Sequence, residues 1–539
     1  MKPFVILRDD GFSQFYYCHP ENFSKEKFLH DTVDFLKDFP EVKVKEMGLG
    51  PGSVFTYDTK CGEVFLDNVS EDDLRLFREG DIFVNKNVHK LIDSGKDALS
   101  LTVERCHEMG IRCWARLEMN HEYGPVASDN YMWVGFVGSF NKNHPEYRIG
   151  NNTQNESLKA SVNLDYSFKE VRDFKLNILR EALEHGVDGL SLDFAVYPPF
   201  LAHPVSDSGC ITELLRDVRK MLDEFSLKQS RTLELCVRIP YDTANAIGLN
   251  WQEWVENDLI DWLVPSIQII DDCFDIPNEE FVQKCRGTRC KLATCIRPFF
   301  DRVDTDESPY DIRSNVTRSC KPCLARSQLA KAYIGLKNGA SAVQVAIGSG
   351  AYNACSDKPD EKRARRDAWH DEYGLLSDMA YMENAEKEYV FNNLNILPHN
   401  LIEGDLSLDL RVGDKPCDIE RATLNFLARG LTEKESIILF VNGNEIVLTE
   451  KELCWSPDDC PILPIKGHHG FIDNFSPYLL FRIPKWWDIC RNNIEIPSSF
   501  LIDGKNKFEM RYEPLEKNVR SRTLNIGDMS LIVTKKEKK

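Results

Sequence analysis

At 539 residues the chain is longer than one hydrophobic core supports, since cores stop growing at roughly 250 to 300 residues, so two or three domains are expected. A net charge of -19 argues against a nucleic-acid partner, because phosphate backbones are held mainly by clustered Lys and Arg. No run of about 18 apolar residues is present to span a membrane.

The first ten residues, Met1 to Asp10, lack the apolar stretch and small-residue cleavage site of a secretory signal, and Phe4 to Asp9 read as a buried strand. Seventeen cysteines are an odd count that suits reduced thiols better than a disulfide framework. Both features lead to the expectation of a cytoplasmic protein, with a secreted or periplasmic one left open if a leader was trimmed.

From there a unit repeats: an amphipathic helix, a glycine, then a short apolar run ending in polar residues. Helix Ala98 to Met109 and Gly110 precede the strand Ile111 to Glu118. Helix Phe168 to His185 opens on a capping box of Ser167 and Glu170, stops at Gly186, and precedes Gly189 to Phe194. Helix Leu329 to Leu336 and Gly339 precede Ala342 to Ile347. With Phe4 to Asp9, Val42 to Gly48, Leu233 to Ile239, Ile260 to Ser266 and Lys291 to Ile296, these make eight buried strands separated by helices. The expected fold is a (β/α)₈ TIM barrel over residues 1–395, an open doubly wound sheet being the alternative, although no phosphate-cradling glycine loop accompanies it.

A polar helix over Asp371 to Asn392 is expected to end the barrel. Beyond it the pattern changes to period two in Leu406 to Val412, Ile437 to Leu448 and Lys507 to Tyr512, with Asn442-Gly443 as a hairpin turn. Residues 396–539 are therefore expected to form a β-sandwich, separable by proteolysis near Pro398.

Barrels of this kind carry their sites at the C-terminal ends of the strands, where this chain is unusually polar. Strand one ends in Asp9 and Asp10, strand two in Glu46, strand three in Glu118, Asn120, His121 and Glu122, and strand four in Asp193. The later strands deliver Arg238, then Gln268, Asp271 and Asp272, then Arg297 and Asp301, then Ser349, Tyr352 and Asn353.

Asp193 is the leading catalytic candidate, because a carboxylate on an interior strand must serve a site or a partner; a plain ion pair with Arg238 is the other reading. Glycoside cleavage needs two carboxyls roughly 5 to 9.5 Å apart, and Glu118 is the first partner, against Glu46, Asp10 and Asp272. The long segment His121 to Leu164 carries Tyr123, Tyr131, Trp133, Phe136, Phe140 and Tyr147, which would stack on sugar faces or form a satellite apolar cluster. Asp10, Asn120, His121, Trp133, Arg238, Gln268, Asp272, Arg297 and Tyr352 are the expected substrate-binding residues. No HxH or HExxH array appears, so neither metal nor cofactor is expected; Cys320-Lys-Pro-Cys323, with Cys285, Cys290 and Cys295, is the one cluster that would suit zinc.

Gly186-Val-Asp-Gly-Leu-Ser-Leu-Asp-Phe194, Val237-Arg-Ile-Pro240, the Trp251 and Trp254 segment and Tyr57-Asp-Thr-Lys-Cys-Gly-Glu63 together resemble the family 10-like glycosyl hydrolase barrels of bacteria, which carry an appended β-sandwich. The resemblance covers most of the barrel. It implies a glycosidase-like cleft with Asp193 and Arg238 at positions such relatives fill. Where those relatives carry a basic residue and then Met-Asn-Asp, this chain has Glu118-Met-Asn-His121, so Asn120 carries over while Glu118 and His121 do not. Strand four also lacks the Asn-Glu pair of true xylanases. The function expected is a glycoside hydrolase; a carbohydrate-binding barrel without catalysis and a metal-dependent lyase or isomerase are the alternatives. Arg116, Arg238, Arg297 and Arg302 point toward an acidic or sulfated glycan.

Overall fold

A computed structural model describes residues 2–124, 130–152, 162–267, 273–274, 276–296, 299–303, 318–322, 325–345, 374–391, 397, 399–431, 435–449, 451–454, 489–514 and 524–536. The chain divides into two compact units. The first is Met1–Ile269, Pro277–Cys295 and Asn338–Ala354; the second is Ile270–Ile276, Ile296–Lys337 and Cys355–Lys539.

The first unit is a closed barrel of eight strands, all parallel where their pairing is registered: β1 (Phe4–Arg8), β2 (Val42–Gly48), β3 (Arg112–Glu118), β4 (Gly189–Asp193), β5 (Glu234–Pro240), β6 (Trp262–Ser266), β7 (Lys291–Ile296) and β8 (Ala342–Val345). All eight fall on the apolar runs expected. Side chains alternate across each strand, so the interior is read at every second residue. Its lower part is apolar: Phe4, Ile6, Val44, Trp114, Cys236, Trp262, Val264, Ala293, Cys295 and Ala342 form one buried cluster. Burying each large side chain there contributes about 1.5–3 kcal/mol. Toward the C-terminal ends the same inward rows turn polar, with Arg8 above Ile6, Glu46 above Val44, Arg116 and Glu118 above Trp114, and Arg238 above Cys236.

The helices pack apolar faces outside the strands. The helix Ala98–Glu108 is capped by Asp97, whose Oδ1 accepts from Ser100 N at 2.8 Å. The capping box expected at Ser167 does not form. The helix begins one residue later, at Lys169–Glu184, because Ser167 N donates instead to Asp165 Oδ1 at 2.9 Å. At its other end Gly186 takes the left-handed conformation, φ +86°, that lets the chain turn directly into β4.

In the second unit, β9 (Lys387–Val390), β11 (Ile419–Arg429), β14 (Ile489–Ile496) and β16 (Asn525–Lys535) form one antiparallel sheet with the short strand His399–Asn400. A second sheet pairs β10 (Leu406–Val412), β12 (Glu435–Val441), β13 (Asn444–Leu448) and β15 (Gly504–Pro514). Their inner faces share one apolar core, the sandwich expected from the period-two pattern. That core also contains Ala330 and Ile334 of the helix Ala325–Lys337. The polar helix expected over 371–392 is replaced, among described residues, by a short helix at Met379–Asn384 and by β9, which pairs with β16 from Lys387 onward. Burial of Tyr389, Val390 and Phe391 in the sandwich core overrides local helix propensity there. No described helix is long and apolar enough to cross a membrane.

Candidate active site

Parallel register places Glu118 beside Asp193 and Asp193 beside Arg238 on three consecutive strands. Residues at one level on neighbouring strands face the same side, so three charges meet at the mouth of the barrel. Arg238 Nη1 donates to both oxygens of Asp193, at 2.9 and 3.0 Å, and its Nη2 donates to Ser266 Oγ at 2.8 Å. From across the barrel closure, Arg8 Nη2 lies 2.7 Å from Asp193 Oδ2 and 3.5 Å from Glu118 Oε1. Arg116 Nη1 bonds Glu118 Oε1 and stands 3.6 Å from Asp193 Oδ2.

This cluster is almost dry: Asp193 is 0% exposed, Arg8 and Arg116 2%, and Arg238 1%. Gly48 makes room for it, since a Cβ there would lie 2.8 Å from Arg116 Nη2 and 2.5 Å from the Asp10 carbonyl oxygen. Burial alone would raise the Asp193 carboxyl, but Arg238, Arg8 and Arg116 outweigh it and hold the group below its ordinary value. Burial likewise opposes ionisation of Glu118, yet His121, Arg116 and Arg8 keep it well below the usual carboxylate range. Both carboxylates are therefore charged near neutrality, and neither holds a proton to give.

Glu118 is the edge of this network. Its side chain is 12% exposed, and Oε2 accepts from His121 Nδ1. The other imidazole nitrogen, Nε2, is hydrogen-bonded to the Tyr123 hydroxyl. The His121 ring lies 4.6 Å from that of Tyr197 and 4.9 Å from that of Tyr123, and the two tyrosine rings stand 5.7 Å apart. Tyr197 takes a left-handed backbone, φ +48°, in the turn after β4. Burial, then Tyr197 and Glu118, push the Tyr123 phenol well above its ordinary value.

The other expected residues are placed elsewhere. Glu46 lies deeper in the barrel, accepting from Ser191 Oγ and, at 2.7 Å, from Gln344 Nε2. Asp10 accepts from the backbone N–H of Phe12 and Ser13 at 3.0 and 2.9 Å, capping the turn after β1. Asn120 donates to the carbonyls of Leu164 and Pro199 and accepts from Leu164 N, which ties the two ends of the long loop together. Trp133 is half-buried under the Arg148 guanidinium, 5.1 Å from its ring. Phe140 stacks on Phe174 at 4.0 Å, and Phe136 packs among Phe12, Phe65 and Tyr123, so these rings serve as a satellite core. Gln268, Asp271, Asp272, Arg297, Ser349, Tyr352, Asn353 and Cys323 lie outside the described residues, as do the side chains of Asp301, Arg302 and Cys320. Cys285 and Cys290 are buried free thiols, and Cys290 Sγ donates to the Lys291 carbonyl at 3.7 Å. Among the described residues no three His, Cys, Asp or Glu gather to hold a metal ion.

Arg8 and Tyr197 were not anticipated as site residues. Counting alternate positions inward from Phe4 and Ile6 reaches Arg8 and would have found it. Nothing local marks Tyr197.

Beside His121, Glu122 is buried, and among the described residues neither of its oxygens has a hydrogen-bond partner. Burial raises it to about 7 against the pull of Lys175, His121, Arg148 and Lys142. Lys175, lowered by burial to about 8, donates to the Gly52 carbonyl at 3.1 Å. A carboxyl that holds its proton more tightly when folded favours the folded state below the unfolded value near 4.3, and that advantage is lost as pH rises toward 7. Glu122→Gln should therefore flatten the fall in melting temperature of the wild type between pH 5 and 7; an identical slope in both proteins would remove Glu122 as its cause.

No protein-family model matches the chain, and no curated protein matches it. Among solved structures, a β-L-arabinopyranosidase of glycoside hydrolase family 27 from Geobacillus stearothermophilus is similar at 11% identity, over 96% of this chain and 98% of that one, with a TM-score of 0.35. An N-acetylglucosaminidase of family 18 from Paenibacillus barengoltzii is similar at 12% identity, over 70% of this chain and 100% of that one, with a TM-score of 0.37. A cycloisomaltooligosaccharide glucanotransferase from Paenibacillus sp. is similar at 9% identity over 98% of this chain, which spans 57% of that longer protein, with a TM-score of 0.34. Likeness this slight carries no argument about activity, and the barrel stands on its own strand pairing.

Proposed function

We propose that the protein is a glycoside hydrolase, cleaving a glycosidic bond at the C-terminal ends of the barrel strands. What supports the reading is the pairing of Glu118 with Asp193: both stand within 3.6 Å of one nitrogen, Arg116 Nη1. The two oxygens facing that nitrogen are thus at most about 6 Å apart, a bound that admits the roughly 5 Å spacing of retaining glycosidases and not the wider spacing of inverting ones. Glu118, the carboxylate of the pair that reaches solvent, would stabilise locally the positive charge that develops on the sugar ring as the bond breaks. In this reading Glu118, the more exposed, meets the substrate, while Asp193 supplies field from behind it. No cofactor takes part, and a chelator should leave turnover unchanged.

A carbohydrate-binding barrel without turnover is favoured by one observation, that both oxygens of Asp193 are already taken by arginines. An acidic or sulfated glycan remains a reading from the arginines, but its anion would compete with Asp193 and Glu118 for the same guanidiniums. The deciding experiment is a panel of α- and β-glycosides of glucose, galactose, mannose, xylose, N-acetylglucosamine and glucuronic acid, each as methyl and 2,4-dinitrophenyl glycoside. Release of aglycone supports the hydrolase; saturable binding with no release supports the binder. A preference for the glucuronides would support the acidic substrate class.

A further inference from the structure

A hydrolase needs a proton for the leaving oxygen, and the two carboxylates are poor sources because three guanidiniums surround them. Among the described residues at the strand ends, two groups able to carry a proton continue in a line from Glu118 Oε2: His121, then the Tyr123 hydroxyl. Each member is held by the one behind it. Glu118 is fixed by Arg116 and Arg8, His121 is fixed by Glu118 and by stacking on Tyr197, and the Tyr123 ring packs edge-on against Tyr197 and Phe136. Glu118, His121 and Tyr123 are all partly exposed, unlike Asp193 behind them. An acid–base group oriented by a second and a third in this way is the arrangement that proton-transfer sites use.

We propose that Tyr123 is the general acid of this site, recharged through His121, which Glu118 positions; the assignment rests on the hydrolase reading. In its doubly protonated form the imidazole donates Nδ1–H to Glu118 and Nε2–H to the Tyr123 oxygen, leaving the phenol hydrogen free for the substrate. The phenol proton passes to the glycosidic oxygen as the bond from the anomeric carbon breaks, and that oxygen keeps the electron pair and leaves as an alcohol. His121 Nε2–H replaces the phenol proton. Water adds its oxygen to the anomeric carbon, and the proton it sheds returns to His121. One water is consumed and one glycosidic bond becomes two hydroxyls.

The test is Tyr123→Phe, which keeps the ring and its packing, assayed on paired methyl and 2,4-dinitrophenyl glycosides of the sugar the wild type accepts. A methyl glycoside needs its leaving oxygen protonated, so kcat/KM should fall about 10²- to 10⁴-fold. The dinitrophenyl glycoside leaves unaided and should lose less than about tenfold. An equal loss on both substrates, or no loss on either, overturns the assignment while leaving the hydrolase standing. A wild type that cleaves none of the panel overturns the hydrolase reading, and this assignment falls with it. If Tyr123→Phe does not fold, 3-fluorotyrosine at position 123 lowers the phenol pKa with little change of shape; kcat/KM on the methyl glycoside should then change by more than on the dinitrophenyl glycoside, and an equal change or none on both overturns the assignment.

Discussion

Asp193→Asn is expected to lower turnover by about 10³-fold or more and to cost roughly 3 to 5 kcal/mol of stability. The volume is unchanged, but Arg8, Arg116 and Arg238 are left buried around a neutral amide, with Glu118 still paired to Arg8 and Arg116. Removing one of the two anions from among three guanidiniums also makes the strand ends more positive, so a cationic transition state is stabilised less than in the wild type. Because the folded Asp193 carboxyl is depressed, its contribution is fully present above the unfolded value near 3.9 and is lost as pH falls through the folded value. The wild type should therefore lose melting temperature below about pH 4 by a component that the Asn variant lacks. Turnover and melting temperature measured on the same preparation separate the two roles: near-normal turnover in a folded variant would remove Asp193 from the chemistry, and loss of activity only in proportion to unfolding would leave it an ion-pair partner.

Glu118→Gln should cut kcat by about 10²- to 10⁴-fold with a smaller stability cost, since Glu118 and His121 have some access to water and the amide oxygen still accepts one hydrogen bond. The loss has two origins in the geometry. One negative charge disappears from beside Asp193, and His121 loses the carboxylate that fixes its Nδ1–H. Glu118→Ala opens space for a small carboxylate, so added sodium formate should restore part of the lost rate. Turnover within about threefold of wild type in Glu118→Gln would reduce Glu118 to a rim residue.

Much of the barrel was legible because its signals are local. Each strand is a short apolar run, and several of the preceding helices announce their ends with a glycine, as at Gly110, Gly186 and Gly339. The pairing of Glu118, Asp193 and Arg238 was legible for the same reason, since consecutive strands of a barrel are neighbours in space. Arg8 reaches Asp193 from the first strand, and that proximity exists only once the barrel closes. Asp10 and Asn120 read in sequence as ligands for a substrate, and the structure shows them capping a turn and tying a loop, roles that use the same hydrogen-bonding groups. Lys387–Val390 lies in a charged segment of helical composition, and its pairing with the distant strand Asn525–Lys535 has no local trace.

The helix Ala325–Lys337 carries a further consequence for the order in which the chain acquires structure. Its Ala330 and Ile334 are buried among Tyr389, Leu531 and Val533, and Lys337 bonds Asp503 at 2.6 Å. The strand that closes the barrel, Ala342–Val345, follows this helix almost at once, yet Tyr389, Leu531 and Val533, which share its core, are synthesised well after that strand. During synthesis its apolar side therefore waits uncovered after the eighth strand is made, an exposure that invites holdase chaperones and aggregation. Synthesis of the strand Asn525–Lys535, and not completion of the eighth barrel strand, sets the moment at which this core can be completed.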